Sequence, residues 1–377
     1  MIKPMKFPIF VLLAAFCMTS SADVLILSRE SALKIGYKPV VYEGLLSKVT
    51  KVIEPGYSQH QLNWPIQFEN GLNSVGNLMA QFQSYGPFSS YFHGGCDLVA
   101  RRGESLIAPI SGKIEAGYYS YSDIGDGYMQ KYWIPLFESE GHSVQKEYFE
   151  VALTDQNGFR FEFHHVDRDS LTPEILSHIK ANDFISAGTI LGQVIDWGYF
   201  MNGSPYNHIH YNIVSPNGYN FNCQWYSAKI LDTVSPMIAS VYAVVENNVI
   251  EVSNNERLSQ RPSEFILDIF DRKDRNPFIL QPHFVEYRPQ SGKTFTWDFR
   301  KGLFNEDGSK PKIFDLFVRS LRGPNGEILR TAGNYNEFQF YVRIPVEEKD
   351  RGPFTLTVMD SAGNQTHFSG FLPDSRN

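Results

Sequence analysis

Short runs of alternating apolar and polar residues make up much of this chain, and glycine, proline and asparagine separate them. Residues 148–153 and 159–166 are two such runs, joined by an Asp-Gln-Asn-Gly turn at 155–158 that is a strong hairpin signal. Residues 188–195 and 207–213 are further runs of strand type, rich in β-branched and aromatic residues. The pattern predicts a mainly β protein.

One stretch has helical character instead. Residues 170–182 contain Thr172, which can cap a helix, followed by Pro173 and Glu174, which suit a first turn. We therefore predict a single amphipathic helix here, with His178 on its surface.

The strand at 207–213 has two chemically different faces. Because side chains alternate along a strand, its polar residues share one face and its apolar residues share the other. The polar face carries His208, His210 and Asn212, and the apolar face carries Ile209, Tyr211 and Ile213. A pair of histidines on one face suits a metal site, although a surface or core role is the commoner one for such a pair.

The same reasoning applied to residues 159–166 separates two adjacent histidines. Alternation places His165 with three phenylalanines on a sheltered face: Phe159, Phe161 and Phe163. It places His164 with Arg160 and Glu162 on a face that we expect to be solvated.

Turn and composition signals divide the chain into four parts. An Asp-Thr-Val-Ser-Pro stretch at 232–236 marks a domain boundary. Beyond it, short strand-like runs separated by turns predict an immunoglobulin-like β-sandwich. Those runs are 238–245, 249–252, 265–270, 313–320, 338–344 and 354–359. The four parts are an export segment (1–22), an N-terminal segment (23–90), a β domain (91–231) and the sandwich (232–377).

Two regions are less informative. Residues 23–90 could be a pro-segment, an inhibitory arm or extra strands on the main sheet. We favour extra strands on the main sheet, with the segment packed on the β domain. Residues 118–146 have the composition of a long loop or insertion, and long loops often carry function.

The N-terminus resembles a signal peptide. Lys3 and Lys6 precede an apolar run at 7–18 and a Ser-Ser-Ala cleavage site at 20–22, and the run is too short to span a bilayer comfortably. Removal of this segment changes the formal charge from −7 to −9. We expect an exported protein, periplasmic or secreted, with no stable membrane span after cleavage. The acidic balance and the lack of a basic run exclude nucleic acid as an expected partner.

Two cysteines, Cys96 and Cys223, remain after export. An oxidising compartment permits one disulfide between them, and two buried free thiols are the alternative.

Five polar residues are the candidates for chemistry. If residues 93–97 are extended, His93 and Asp97 converge while Cys96 points away. With the histidines already described, the set is His93, Asp97, His165, His208 and His210. Catalytic zinc takes three protein ligands and keeps an open position, so three of these could bind and two assist. The chain has no His-Glu-x-x-His, Gly-x-Ser-x-Gly or P-loop motif.

These motifs resemble those of the lysostaphin-type (LytM-like) zinc endopeptidases of peptidoglycan. His93-x-Gly95-x-Asp97 and His208-x-His210 resemble the first and last motifs of that family. Gly103, Ala108-Pro109 and Gly112, together with Phe163-His164-His165-Val166 and Gly188 to Gly192, resemble the segments between them. The resemblance covers residues 90–215. Residues 89–92 lack the usual arginine, and Asn207 replaces the usual proline.

By this resemblance, His93, Asp97 and His210 are the Zn²⁺ ligands, and His165 and His208 are the catalytic histidines. It implies an antiparallel sheet of the duplicated-hybrid-motif type with the metal at the floor of a groove. Cys96 and Cys223 flank the first and last motifs, so we predict that a disulfide joins them.

The leading hypothesis is an exported zinc metalloendopeptidase acting on the peptides of peptidoglycan. A non-catalytic cell-wall-binding or amidase-activating protein of the same fold is the first alternative. A zinc protease acting on proteins is the second.

Overall fold

The computed structural model describes most of the chain from residue 52 onward. The described ranges are 38–40, 52–68, 71–84, 90–118, 123–124, 128–129, 131–133, 146–201, 203–246, 248–272, 279–318, 320–322, 328–331 and 340–374. The predicted signal peptide and most of the 118–146 loop lie outside them.

A seven-stranded antiparallel sheet forms the centre of the first domain. Its strands, in spatial order, are Phe184–Ile185, Gly112–Tyr118, Phe149–Thr154, Arg160–His164, His208–Val214 and Asn220–Phe221, with Cys96–Val99 paired to the first half of His208–Val214. The hairpin predicted at 148–166 is confirmed, with Glu150 opposite His164 and Thr154 opposite Arg160.

The apolar face of this sheet lies in a hydrophobic core. Phe161, Phe163 and Tyr211 have no exposed surface, and the rings of Phe163 and Tyr211 stack 5.3 Å apart across neighbouring strands. Burying a side chain of this kind contributes about 2–3 kcal/mol each. Ile209 and Ile213 are equally buried, so the predicted apolar face of the 207–213 strand is confirmed.

A smaller antiparallel sheet and a helix flank the main sheet. The sheet consists of Val166–Asp167, Ile190–Val194 and Ser105–Ile107. The helix, Pro173–Ala181, begins where the Ile175 amide donates to the Thr172 hydroxyl at 3.2 Å, and it ends at Asn182, whose φ of 50° is left-handed. The predicted helix and its cap are confirmed.

Shorter elements complete the inventory. The two-stranded pairs are Lys38–Val40 with Lys131–Trp133, Phe82–Ser84 with Ser90–Phe92, Asp123–Ile124 with Tyr128–Met129, Phe200–Met201 with Ser204–Pro205, and Ser320–Arg322 with Ile328–Thr331. Short helices lie at Gly71–Ser74, Lys146–Tyr148, Arg168–Ser170, Cys223–Tyr226 and Ile313–Leu316. Within the described ranges, no helix is both long and apolar enough to cross a membrane.

The described part of the N-terminal segment contacts both parts of the protein. Ala80 and Phe82 lie in the core of the C-terminal sheets described below, whereas Leu62 and Ile66 lie in the core of the first domain. Backbone hydrogen bonds also join this segment to the first domain. The Ile107 amide donates to the Pro65 carbonyl at 2.7 Å, and the His60 amide donates to the Trp225 carbonyl at 2.9 Å. Leu62 and Val75 form isolated bridges with Ser227 and Leu98. Of the described residues between 52 and 84, none lies in a strand of the main sheet, so the extra strands expected there are not found in this part of the segment.

Two five-stranded sheets make up the C-terminal part. The first has Asn248–Val252, Met237–Val245, Glu264–Arg272 and Ile279–Leu280 in order, with Phe340–Pro345 also paired to Glu264–Arg272. The second has Glu256–Arg257, Gln365–Leu372, Arg351–Met359, Phe284–Ser291 and Phe295–Asp298. Leu267 of one sheet and Leu356 of the other belong to one buried core. The mainly antiparallel β architecture is therefore confirmed, and the immunoglobulin-like type of this sandwich stays a prediction.

One predicted strand of the sandwich is wrong. Residues 313–320 begin with the helix Ile313–Leu316, closed by the Phe317 amide donating to the Ile313 carbonyl at 2.8 Å. Leu316 and Phe317 are both buried in the sandwich core, so an apolar run here reflects burial rather than strand structure.

Candidate metal centre

The register of the main sheet builds a row of polar side chains across four strands. Glu150 lies opposite His164, His164 opposite His210, and His210 opposite Asp97. Side chains directly opposite one another project to the same face, so the strand pairing brings Asp97 next to His210. Their Oδ1 and Nδ1 atoms are 2.8 Å apart.

A bend at Gly95, between the strands Ser90–Phe92 and Cys96–Val99, brings His93 back to the same point. The Nε2 atom of His93 lies 3.1 Å from Oδ1 of Asp97. Gly95 makes this approach possible, because a Cβ there would overlap the carbonyl of Tyr211 and the side-chain oxygen of Asn212. The His-Gly-Gly-Cys-Asp segment thus leads into the strand Cys96–Val99 and passes close to the backbone of Tyr211.

Three ligand atoms therefore converge from two segments, residues 93–97 and the strand His208–Val214. One atom each of His93, Asp97 and His210 lies within 4.8 Å of the others. Zinc bonds of about 2.0–2.1 Å at tetrahedral angles put ligand atoms about 3.4 Å apart, so these separations fit one ion. Nδ1 of His93 lies 3.0 Å from the Leu78 carbonyl, the kind of outer contact that orients a metal-binding imidazole. The donor set, two imidazoles and a carboxylate, is one that binds zinc.

Outer contacts also fix Asp97. Its Oδ2 atom accepts a hydrogen bond from Asn77 at 2.7 Å and from the Tyr206 hydroxyl at 2.9 Å. Gly76 leaves room for the Tyr206 ring, with which a Cβ at that position would overlap. Neither Asn77 nor Tyr206 lies in a recognisable motif, so sequence patterns alone do not point to them.

The two remaining histidines lie at the edge of this centre. His208 Nδ1 is 2.9 Å from the Tyr206 carbonyl, and His165 Nδ1 is 2.7 Å from the Glu147 carbonyl. A neutral ring that donates from Nδ1 presents Nε2 as its acceptor nitrogen. His208 Nε2 lies 3.7 Å from Asp97 Oδ1, and the His165 and His208 ring centroids are 4.7 Å apart.

Side-chain alternation along the strand does not explain why the His165 ring lies beside His208. The strand ends at His164, and His165 has a left-handed φ of 69°. Strict alternation would leave His165 beside Phe163, on the face opposite His210. The left-handed residue interrupts the alternation, and the His165 ring lies against His208 instead. The expectation that His165 shares the phenylalanine face is wrong.

The face expected to be solvated is buried. Glu162 is fully buried and His164 is 1% exposed. His164 lies 3.2 Å from Glu150, and Arg160 lies 3.1 Å from Glu162, so the charges on this face pair with one another. Buried charges are tolerated when paired in this way, which explains how polar alternation can occur away from water.

This buried network is a second group with ligand-type atoms, since Glu150, Glu162 and His164 also lie within 4.8 Å of one another. The Arg160 guanidinium already contacts Glu162, and the Asn212 amide donates to the same carboxylate at 3.2 Å. We therefore interpret it as an ion-pair network behind the first centre.

Burial and the Asp97 charge set the protonation of the centre. Burial lowers the pKa of His210 to about 4 and lowers the pKa of His208, although Asp97 opposes both shifts. Burial and His208 together hold the pKa of His165 well below its usual value. Neutral imidazole is the form that binds a metal or accepts a proton.

The carboxylate itself stays ionised. Burial would raise the pKa of Asp97, but His93 and His208 hold it well below its usual value. Burial would likewise lower the pKa of His93, and Asp97 raises it above the usual value instead.

The first and last motifs are also covalently linked. Cys96 precedes Asp97 on the opposite, buried face, and the structure joins it to Cys223 by a disulfide with a Cα–Cα distance of 6.7 Å. Asn207, which stands where the related motif has proline, accepts a hydrogen bond from the Trp197 amide at 2.9 Å and so fixes the loop that leads into the last motif.

Comparison with known proteins adds little to this geometry. No family model and no curated protein matches the chain. Among solved structures, Csd3 from Helicobacter pylori matches with 17% identity over 50% of this chain and a TM-score of 0.27, and the match covers 42% of Csd3, less than half of its length. The antimicrobial peptidase lysostaphin from Staphylococcus simulans matches with 14% identity over 82% of this chain and 90% of lysostaphin, with a TM-score of 0.26. At these TM-scores the likenesses carry no argument, and the functional case depends on the site.

Proposed function

We propose that this protein is an exported zinc metalloendopeptidase that hydrolyses peptide bonds in peptidoglycan stems or crosslinks. The observation that supports it most is the convergence of His93 Nε2, Asp97 Oδ1 and His210 Nδ1, which would hold the ion. Zinc bound there would supply a Lewis acid that polarises the peptide carbonyl and acidifies water.

His165 and His208 are the proposed catalytic residues. Their lowered pKa values keep both rings neutral, and their Nδ1 atoms are held by backbone carbonyls. A ring in this state accepts the proton of the attacking water at Nε2. The imidazolium formed can then donate to the oxyanion or to the leaving amine.

The substrate class rests on the sequence rather than on the geometry. The spacing of five motif segments over residues 90–215 resembles that of peptidoglycan endopeptidases, and residues 1–22 have the pattern of an export signal. Together they favour a cell-wall peptide over a cytoplasmic one.

Metal analysis and digestion of purified peptidoglycan test the proposal. We expect one zinc per mature chain, and release of muropeptides that a chelator abolishes. Binding to the wall without zinc or hydrolysis would instead favour the non-catalytic alternative. If no muropeptides are released from peptidoglycan but unrelated proteins are cleaved, the result would favour a general protease.

Single variants test the role of each histidine. His210→Ala should lose zinc, whereas His208→Ala should keep zinc and lose turnover. His178→Ala is the matched control, because His178 lies on the Pro173–Ala181 helix and pairs only with Asp183 at 3.5 Å among the contacts described. Equal zinc loss in His208→Ala and His210→Ala would contradict the assignment.

A further inference from the structure

A row of aromatic rings leads from the candidate centre to the protein surface. Trp197, Tyr199 and Phe200 belong to the loop between the strands Ile190–Val194 and His208–Val214. The centroid of the Trp197 ring lies 3.8 Å from that of His165 and 5.5 Å from that of Tyr199. Tyr199 is 43% exposed, so the row of Trp197 and Tyr199 runs outward from a proposed catalytic histidine, and the next residue, Phe200, is 70% exposed. We name these three residues the aromatic strip.

The loop that carries the strip is anchored at the centre at both ends. At its start the Trp197 amide donates to Asn207, and further along the Tyr206 amide donates to the Tyr199 carbonyl at 2.8 Å. Phe200–Met201 pairs with Ser204–Pro205 between these points. Since the hydroxyl of Tyr206 also bonds Asp97, the position of the strip is tied to that of the proposed zinc ligand.

Large exposed rings held in this way point to binding. A single exposed apolar residue is ordinary, but neighbouring exposed aromatic residues beside a site are typical of a binding surface. The strip itself carries no charge, and the acidic residue next to it, Asp196, faces Arg102 at 3.4 Å. An uncharged segment is therefore the chemistry that fits it.

We propose that the aromatic strip binds the substrate's peptide on one side of the scissile bond and sets which peptides are cleaved. This inference rests on the proposed function and identifies the residues that select its substrate. An extended peptide advances about 3.3–3.6 Å per residue, so the 5.5 Å from Trp197 to Tyr199 corresponds to fewer than two residues. Trp197 then contacts the residue next to the scissile bond and Tyr199 contacts the residue beyond it, with Phe200 adding exposed apolar surface at the same end of the strip.

Trp197 is also a positioning residue for the two proposed catalytic histidines. Its ring lies against His165 and 5.3 Å from the ring of His208, so it limits the orientations available to both. A flat, rigid side chain suits this task because it packs without a charge that would alter the protonation of either histidine.

Kinetics of zinc-loaded variants on a glycan-free crosslinked peptide test the strip. Tyr199→Ala combined with Phe200→Ala should raise KM by about tenfold or more, with kcat within about twofold and zinc content unchanged. Trp197→Ala should lower kcat at full zinc content, and Trp197→Phe should restore most of it. Ile190→Ala is the control, since Ile190 is 53% exposed and lies outside the loop. An unchanged KM in the double variant, or an equal rise in the control, would overturn the proposal.

A binding measurement separates this inference from the proposed function. Chelator-treated protein is sedimented with intact peptidoglycan and, separately, with glycan chains stripped of peptide. We expect the double variant to lose binding to intact peptidoglycan about tenfold relative to Ile190→Ala, and both proteins to bind stripped glycan weakly and equally. If the wild type never hydrolyses peptide, the proposed function fails while this comparison still tests the strip. Loss of binding on stripped glycan as well would assign the strip to sugar and overturn the peptide assignment.

Discussion

Replacing Tyr206 by phenylalanine should weaken zinc binding without touching a zinc ligand. The Tyr206 hydroxyl donates to Oδ2 of Asp97 at 2.9 Å, while Oδ1 of the same carboxylate faces His93 and His210. The phenylalanine ring fills the same space beside Gly76. The substitution therefore removes one donor that orients the carboxylate, and it also removes the acceptor of a hydrogen bond from the Asn77 side-chain amide at 2.9 Å.

The expected magnitude follows from the kind of bond removed. A hydrogen bond to a charged group contributes about 1.5–3 kcal/mol, and loss of an outer contact to a metal ligand typically costs about 10- to 100-fold in affinity. The two ranges agree, since tenfold corresponds to about 1.4 kcal/mol. Asn77 still donates to the same oxygen at 2.7 Å, so we expect a loss toward the tenfold end.

Competition with a chromogenic chelator measures the zinc Kd of the variant. Tyr57→Phe is the matched control, because Tyr57 donates its hydroxyl to Asp155 at 3.1 Å, at the hairpin turn. Both variants should lose similar unfolding free energy in the metal-free state, and only Tyr206→Phe should bind zinc more weakly. Wild-type zinc affinity in Tyr206→Phe, or equal weakening in both variants, would refute the outer-contact role.

Two further predictions concern stability. Metal-free protein should lose unfolding free energy as pH falls from about 6.5 toward 4, because the unfolded chain protonates histidines that the fold keeps neutral. For His210, with its pKa lowered to about 4, the loss is about 3 kcal/mol. His93 has the opposite effect, because its pKa is raised and the stability that it contributes is lost as pH rises. Urea titrations that show a larger free energy of unfolding at pH 5 than at pH 7.5 would contradict the prediction that the lowered histidine pKa values dominate. Replacing Cys96 and Cys223 by serine should cost about 2–5 kcal/mol, since the bond closes a loop of 127 residues, and the denatured, unreduced mature chain should titrate no free thiol.

Local sequence patterns predict a large part of the candidate metal site. Alternation in residues 207–213 was sufficient to put His208 and His210 on one face above a buried apolar underside, because side-chain direction in a strand depends on the backbone of that strand alone. The hairpin turn and the Thr172 cap were equally local, and both are present. The same rule failed at His165, where one left-handed residue ended the strand.

The sequence by itself determined the mainly β architecture, the faces of the His208–Val214 strand and a set of five polar residues suited to zinc. Only the tertiary structure decided which of them meet. Strand pairing set Asp97 opposite His210, and contacts between distant segments brought Asn77 and Tyr206 to Asp97. Such partners depend on the register between strands far apart in the chain, which no local pattern specifies. Burial of Glu162 and His164 was likewise decided by strand pairing, which places Glu150 beside His164 and Asn212 beside Glu162.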